Sequence, residues 1–339
     1  MKPAKIILFG LLILSIIISS CNSKKKIPEN TISAVPVIFD TDFGPDYDDV
    51  GAIALLHAFA DSGYVKILAT VGSCKDTLIA PALDVVNTYF GKPGIPIGIP
   101  KGKGIYIPCV QHWNDSIVRK YPHDILNRSA RDAIDVYREQ LSKQPDKSVV
   151  IITVGFFTNL AALLKSAPDK YSELSGDKLV AKKVKKLVSM AGIFPEGREF
   201  NVEKDSLSTK YAIDNWPTPI VFSGFEIGSK IVTGLPLVKN SAIRNSPVKD
   251  VFRISLPFYE GDKNGRMSWD ETAVLIACKG ISPYFNSVKG QFITFDDGHN
   301  EWKNNPLGNH EYVIFKMPKE EITETIDKLM MHQPVKDNR

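Results

Sequence analysis

From Val35 onward the chain alternates short, almost wholly apolar runs rich in β-branched residues with longer stretches whose apolar positions recur at helical spacing. The runs at 37–39, 65–71, 148–154, 184–190 and 220–222 read as strands. The stretches at 50–60, 80–90, 160–164, 271–278 and 320–331 read as helices. Strands without polar alternation are covered on both faces, as in parallel sheets with helices packed above and below. The pattern therefore predicts an α/β fold: one domain over residues 35–339, with an open, mostly parallel sheet and helices on both faces. No internal repeat, low-complexity tract or second linker interrupts it. In such sheets ligands bind beyond the carboxyl ends of the strands, so the loops that follow strands are where chemistry is expected.

The first 21 residues follow a different pattern. Lys2 and Lys5 precede an apolar run from 6 to 18, then Ser19-Ser20-Cys21. The run is short for a membrane span, which needs about 20 apolar residues, and suits a secretory signal. A Cys directly after small residues resembles the lipobox of bacterial lipoproteins, in which Cys21 would be acylated; the alternative is an uncleaved anchor with an incidental Cys. Residues 22–34 are polar and read as a linker. The expected location is thus the periplasm or cell envelope, with the body tethered to a membrane only through lipidated Cys21. That leaves Cys74, Cys109 and Cys278, an odd number without CxxC spacing, so neither a disulfide framework nor a zinc site is expected.

Composition adds exclusions. At 43% hydrophobic and 24% charged the 339 residues are those of an ordinary globular protein, neither disordered nor coiled coil. The formal charge of +4 arises at the N-terminus: without Lys2, Lys5, Lys24, Lys25 and Lys26, the remaining 37 basic residues face 38 acidic ones. Such a body lacks the basic face that a nucleic-acid partner requires.

The first strand runs into Asp40-Thr41-Asp42-Phe43-Gly44-Pro45-Asp46-Tyr47-Asp48-Asp49, five carboxylates in ten positions. Carboxylates so spaced repel and raise one another's pKa, so the loop asks for a cation. Oxygen-only donors, with no His or Cys beside them, favour Ca²⁺ or Mg²⁺. A solvated turn with Asp48 or Asp49 capping a helix would explain one or two of the five.

This block, Asp-x-Asp followed by Gly and closing with Asp-Asp before a helix, resembles the N-terminal signature of the inosine-uridine preferring nucleoside hydrolases. Further segments similar to that family recur in order: Ile151 to Leu160 with Val154-Gly155, Met190-Ala191-Gly192, Glu199-Phe200-Asn201, and Trp269-Asp270 before a helix. The resemblance implies the nucleoside hydrolase fold, Rossmann-like, and Ca²⁺-dependent hydrolysis of the N-glycosidic bond of ribonucleosides or related ribosides. It implies Asp42, Asp49, Asp270 and the Val154 carbonyl as metal ligands, Asp42 also as general base, and Asp48, Glu199 and Asn201 as acceptors of ribose hydroxyls. The loop is two residues longer than the commonest version, which leaves Asp46 and Asp48 as rivals for the inner position. The partner implied is a small nucleoside or riboside; oligomeric state stays open, a homo-oligomer among the options.

Three departures qualify the match. Cys74, in Val71-Gly72-Ser73-Cys74, follows the second strand where the family has Asn, a weakened or replaced diol contact. Trp269 stands where the family's His protonates the leaving base; as an aromatic face it would favour purine ribosides. Between 99 and 128 the similarity fades, with His112-Trp113 and His123 as candidate pocket residues, and His310 is a candidate substitute acid. Two rivals remain: a haloacid dehalogenase-type phosphatase with Asp40 as nucleophile, although Gly44 stands where Thr or Val is wanted and its late metal loop is absent unless Asp296-Asp297-Gly298 serves, and a non-catalytic nucleoside- or sugar-binding lipoprotein on the same scaffold.

Overall fold

The computed structural model describes residues 34–335; the signal-like segment 1–21 and the linker up to residue 33 lie outside them. Among the described residues are thirteen strands. In chain order they are β1 Val35–Thr41, β2 Val65–Gly72, β3 Ile97–Ile99, β4 Arg131–Asp132, β5 Val149–Thr153, β6 Val184–Met190 and β7 Glu196–Gly197. Then follow β8 Ile220–Ser223, β9 Val232–Thr233, β10 Arg266–Met267, β11 Phe285–Thr294, β12 Asn300–Asn304 and β13 His310–Phe315. Eleven form one sheet in the order β4-β3-β2-β1-β5-β6-β8-β13-β11-β12-β7. From β4 through β13 every neighbouring pair is parallel; β11, β12 and β7 extend the sheet antiparallel. The remaining two, β9 and β10, pair antiparallel as a separate ribbon.

The apolar strands are what the pattern demanded: every residue of β5 is buried. Along β1, Val37 and Phe39 enter one hydrophobic core while Ile38 enters the other, so the sheet separates two cores, each closed by helices. The helix Asp48–Asp61 is buried over all but its last two residues. It has no polar face because it is covered on every side, the helices Trp269–Lys279 and Lys319–Met330 among its neighbours. Among the described residues no helix is long and apolar enough to cross a membrane.

Strand order sets the place of the site. The chain moves outward from β1 through β2 and β3 to β4, then returns to lay β5 on the other side of β1. The carboxyl ends of β1 and β5 therefore flank a crevice at which connections leave in opposite directions. The acidic loop follows β1 and the Val154-Gly155 turn follows β5.

Candidate active site

The loop after β1 is held from below. Asp40, fully buried, accepts from Tyr137 Oη at 2.8 Å and from Asn159 Nδ2 at 3.0 Å, and its backbone carbonyl accepts from Val154 N at 2.8 Å. Trp113 Nε1 donates to the Asp46 carbonyl at 3.0 Å, and the Trp113 ring meets Phe43 edge-on. Gly155 permits the close approach of the two strand ends: a Cβ there would lie 2.3 Å from Asp42 N. Asp42 is thereby brought onto the floor of a cavity of about 260 Å³, near the lower end of the usual size range for small-molecule sites.

That cavity is lined by Asp42, Asp46, Asp48, Val154, Met190, Glu199, Phe200, Asn201, Phe225, Arg266, Trp269 and Asp270. Seven of the site residues expected from the sequence thus line one cavity: Asp42, Asp48, Val154, Glu199, Asn201, Trp269 and Asp270. Asp49 lies directly behind them, fully buried, with Oδ1 accepting from Thr41 Oγ1 and Oδ2 without a partner. Asp48 takes the inner position, 1% exposed, whereas the Asp46 side chain is 39% exposed.

Charge is the dominant property of the floor. Burial, reinforced by the neighbouring carboxylates, holds Asp42 and Asp270 well above the usual carboxylate range. Burial and Asp46 push Asp48 to about 7 against the opposing pull of Arg266, and burial and Asp48 push Asp49 to about 6. Buried carboxylates so perturbed, one with an orphaned oxygen, are the donor set a hard divalent cation neutralises. Among the described residues the oxygens do not already close on one point as in a preformed metal cage. What fits the cation is the uncompensated charge and the oxygen-only chemistry.

The opposite wall is built by the turn after β6. Glu199 caps the helix Phe200–Lys204, its carboxylate accepting from Asn201 N at 2.9 Å and from Gly192 N and Val202 N at 3.2 Å. Burial outweighs these bonds and raises it to about 7. Asn201 Nδ2 donates to the Val154 carbonyl at 3.0 Å and the Met190 carbonyl at 3.2 Å, and no donor among the described residues reaches its Oδ1. The amide therefore presents an acceptor to the cavity. Phe200 and Phe225, each 40% exposed, form an aromatic rim with Trp269, whose ring stacks on Phe225 at 5.2 Å. Trp269 Nε1 is already committed to the Phe225 carbonyl at 2.9 Å, so the indole offers surface rather than a proton.

Four expectations are corrected. His310 begins β13, and because β13 runs parallel to β8 it sits at the amino ends of the strands, at the opposite edge from the crevice. There it is buried, and its Nδ1 accepts from Phe292 N at 3.1 Å. Cys74 is fully buried with its thiol toward the Ile107 carbonyl, and does not line the cavity. His112, Trp113 and His123 also stay out of it: His112 is exposed, Trp113 buttresses the acidic loop and His123 faces the Tyr121 carbonyl. Asp40 is walled in by Tyr137 and Asn159, so it cannot serve as the phosphatase nucleophile, and Asp296-Asp297 lines a separate surface depression.

Arg266 was not foreseen. It lines the cavity from β10, 7% exposed, and its Nε and Nη2 donate to Asp48 Oδ1 at 3.0 and 2.8 Å. No pattern marks it in the sequence, since it stands in a two-residue strand too short to show a period.

The family model described as inosine-uridine preferring nucleoside hydrolase matches residues 37–309. No curated protein matches the chain in sequence. Among solved structures, the purine-preferring ribonucleoside hydrolase from Gardnerella vaginalis is 16% identical with a TM-score of 0.68, covering 87% of this chain and 99% of that one. The inosine-uridine preferring nucleoside hydrolase from Bacillus anthracis is 16% identical with a TM-score of 0.65, covering 88% and 99%. The type III effector protein XopQ, solved in complex with adenosine diphosphate ribose, is 14% identical with a TM-score of 0.66, covering 88% and 94%. At these identities the likeness is one of fold.

Proposed function

The chain belongs to the inosine-uridine preferring nucleoside hydrolase family, a family of N-glycosyl hydrolases, and from that premise we propose that it splits purine ribonucleosides into ribose and free base with a Ca²⁺ ion held by the acidic loop. The observation that carries this reading is the meeting of Asp42, Asp48 and Asp270 with Glu199 and Asn201 around one nucleoside-sized cavity. Asp42, Asp49, Asp270 and the Val154 carbonyl would hold the ion. When bound, it would supply a fixed positive centre that orients water and the sugar diol and makes that water more acidic.

The protein's own groups then divide the work. Asp42 accepts the proton of the attacking water. Asp48, Glu199 and the free Oδ1 of Asn201 accept hydroxyls of the ribose, and contacts to a ring that flattens as the bond breaks count most in the transition state. Among the described residues no histidine lines the cavity, so assistance to the leaving base falls to the aromatic rim. A purine that takes its proton from solvent gains about 0.5–2 kcal/mol of cation–π attraction from the rim of Phe200, Phe225 and Trp269, a factor of roughly three to thirty in rate. Pyrimidines gain less from such a surface. Phosphorylated ligands such as the one bound to XopQ are opposed by charge: five lining carboxylates face one guanidinium that two of them already engage.

The test is release of free ribose from inosine, adenosine, guanosine, uridine and p-nitrophenyl riboside, with Ca²⁺ and with chelator. Purine ribosides are expected to be cleaved, uridine poorly, and the chelated protein not at all. Absence of ribose from every substrate would defeat the reading, and full activity under chelation would defeat its metal. The N-terminal pattern supports an exported protein held at a membrane by acylated Cys21; Cys21→Ser should then shift it from the membrane to the soluble fraction.

A further inference from the structure

The acidic floor holds a fixed cation of its own. Arg266 reaches it from β10, and the turn that delivers it depends on Gly265: φ is +123° there, and a Cβ would lie 2.6 Å from the Thr233 carbonyl oxygen. The guanidinium is gripped on its edge and on its faces. Nε and Nη2 donate to Asp48 Oδ1, Nη2 also lies 2.7 Å from Asp46 Oδ2, and Nη1 stands 3.7 Å from Asp262 Oδ2. Asp262 is itself fixed by Tyr47 Oη at 2.7 Å, and the guanidinium carbon lies 5.0 Å from the ring centres of both Tyr47 and Trp269.

The other carboxylates receive nothing comparable. Among the described residues no side-chain donor reaches Asp42 or Asp270, and Asp49 has only Thr41. The acidic floor is therefore divided: Asp46 and Asp48 are neutralised by a built-in guanidinium, while Asp42, Asp49 and Asp270 are left for an ion. A divalent cation does not choose between neighbouring carboxylates except by reach. Without Arg266, Asp46 and Asp48 would be free to bind metal, and Asp48 would turn from the sugar.

We propose that Arg266 is a positioning residue, a permanent counter-cation that keeps Asp46 and Asp48 off the metal and aims the free oxygen of Asp48 at a ribose hydroxyl. The second half of this role rests on reading the site as a riboside hydrolase; the first does not.

The experiment uses the full chain with Arg266→Met, Arg266→Lys, Asp48→Asn and the double variant Arg266→Met/Asp48→Asn. Equilibrium dialysis with Ca²⁺ alone counts ions per chain, and initial rates on inosine give kcat and KM. One Ca²⁺ is expected in the wild type and in Arg266→Lys, which keeps the charge, and a second, weaker one in Arg266→Met. The kcat of both variants is expected to fall about tenfold or more, because a lysine lacks the two-pronged donor that fixes Asp48, with a smaller change in KM. In the Asp48→Asn background Arg266→Met should cost nothing further. A single Ca²⁺ in Arg266→Met would overturn the counter-cation role, and equal losses in the presence and absence of Asp48 would overturn the positioning role. Should Arg266→Met fail to fold, wild-type kcat in Arg266→Lys would overturn the latter alone. A wild type that releases no ribose would instead sink the functional reading, while the ion count still decides the role of Arg266 as a counter-cation.

Discussion

Glu199 both caps a helix and faces the cavity, and the two tasks meet in its pKa. Burial holds the carboxyl at about 7 in the folded protein, above its ordinary 4.5, although the backbone N–H groups around it oppose the shift. An ionised carboxylate accepts a sugar hydroxyl more strongly than the protonated acid, so kcat/KM on inosine should climb with pH through about 7. In Glu199→Gln that rising limb should become shallower, with Asp48 left to supply what remains, and the plateau about 10- to 100-fold lower. Asn201→Ala should lose a similar factor in kcat and, because the bonds from its Nδ2 to the Val154 and Met190 carbonyls go too, about 1–3 kcal/mol of stability; wild-type rates would remove it from the sugar site. Residues of this kind were legible because their types are improbable: five Asp in ten positions, or a Glu and an Asn two apart after a strand, have few purely structural explanations. Arg266 was illegible because arginine is common, and the partner that gives it meaning, Asp48, is 218 positions away.

Elements were legible in proportion to their burial. The strands β1, β2, β5, β6 and β8 are covered on both faces and so read as continuous apolar runs. The long strand β11 alternates buried with exposed positions and carries Asn, Ser, Lys and Gln, and β3 and β4 have only three and two residues, so their periods could not be seen. The antiparallel edge was missed for that reason, and with it the fact that His310 opens a strand far from the crevice. At this scale the turn after β5 is a sensitive point. Gly155→Ala would press a methyl group against Asp42 N and the Ser73 hydroxyl, and should cost about 1–3 kcal/mol of stability as well as weakening Ca²⁺ retention. Asp49→Ala and Asp270→Ala should lose the metal and the activity together. Calorimetry and dialysis separate the two cases, and full Ca²⁺ occupancy in both Asp variants would defeat the ligand assignment.

Across the whole molecule the raised carboxyls add up to a pH dependence of defined sign. Asp48 at about 7 and Asp49 at about 6 keep their protons in the folded state well above the 3.8 expected of the unfolded chain, and Asp40 at about 7 does the same. The folded form therefore binds more protons between about pH 4 and 7, and metal-free stability falls as pH rises through that window. On the proposed assignment Ca²⁺ reverses the penalty, so added Ca²⁺ should raise Tm more at pH 8 than at pH 5; equal shifts would argue against carboxylate ligands. The division of the site between distant parts of the chain has a kinetic consequence. Asp48 meets Arg266 across 218 positions of chain, a non-local contact that closes only after a long loop has been ordered, and the carboxylates are not gathered before then. An ion that recognises only the finished arrangement contributes nothing to the barrier for folding but deepens the well behind it. In stopped-flow experiments in urea, Ca²⁺ should slow unfolding and leave the refolding rate unchanged. The surrounding Ca²⁺ concentration then sets how long the folded molecule lasts rather than how readily it forms.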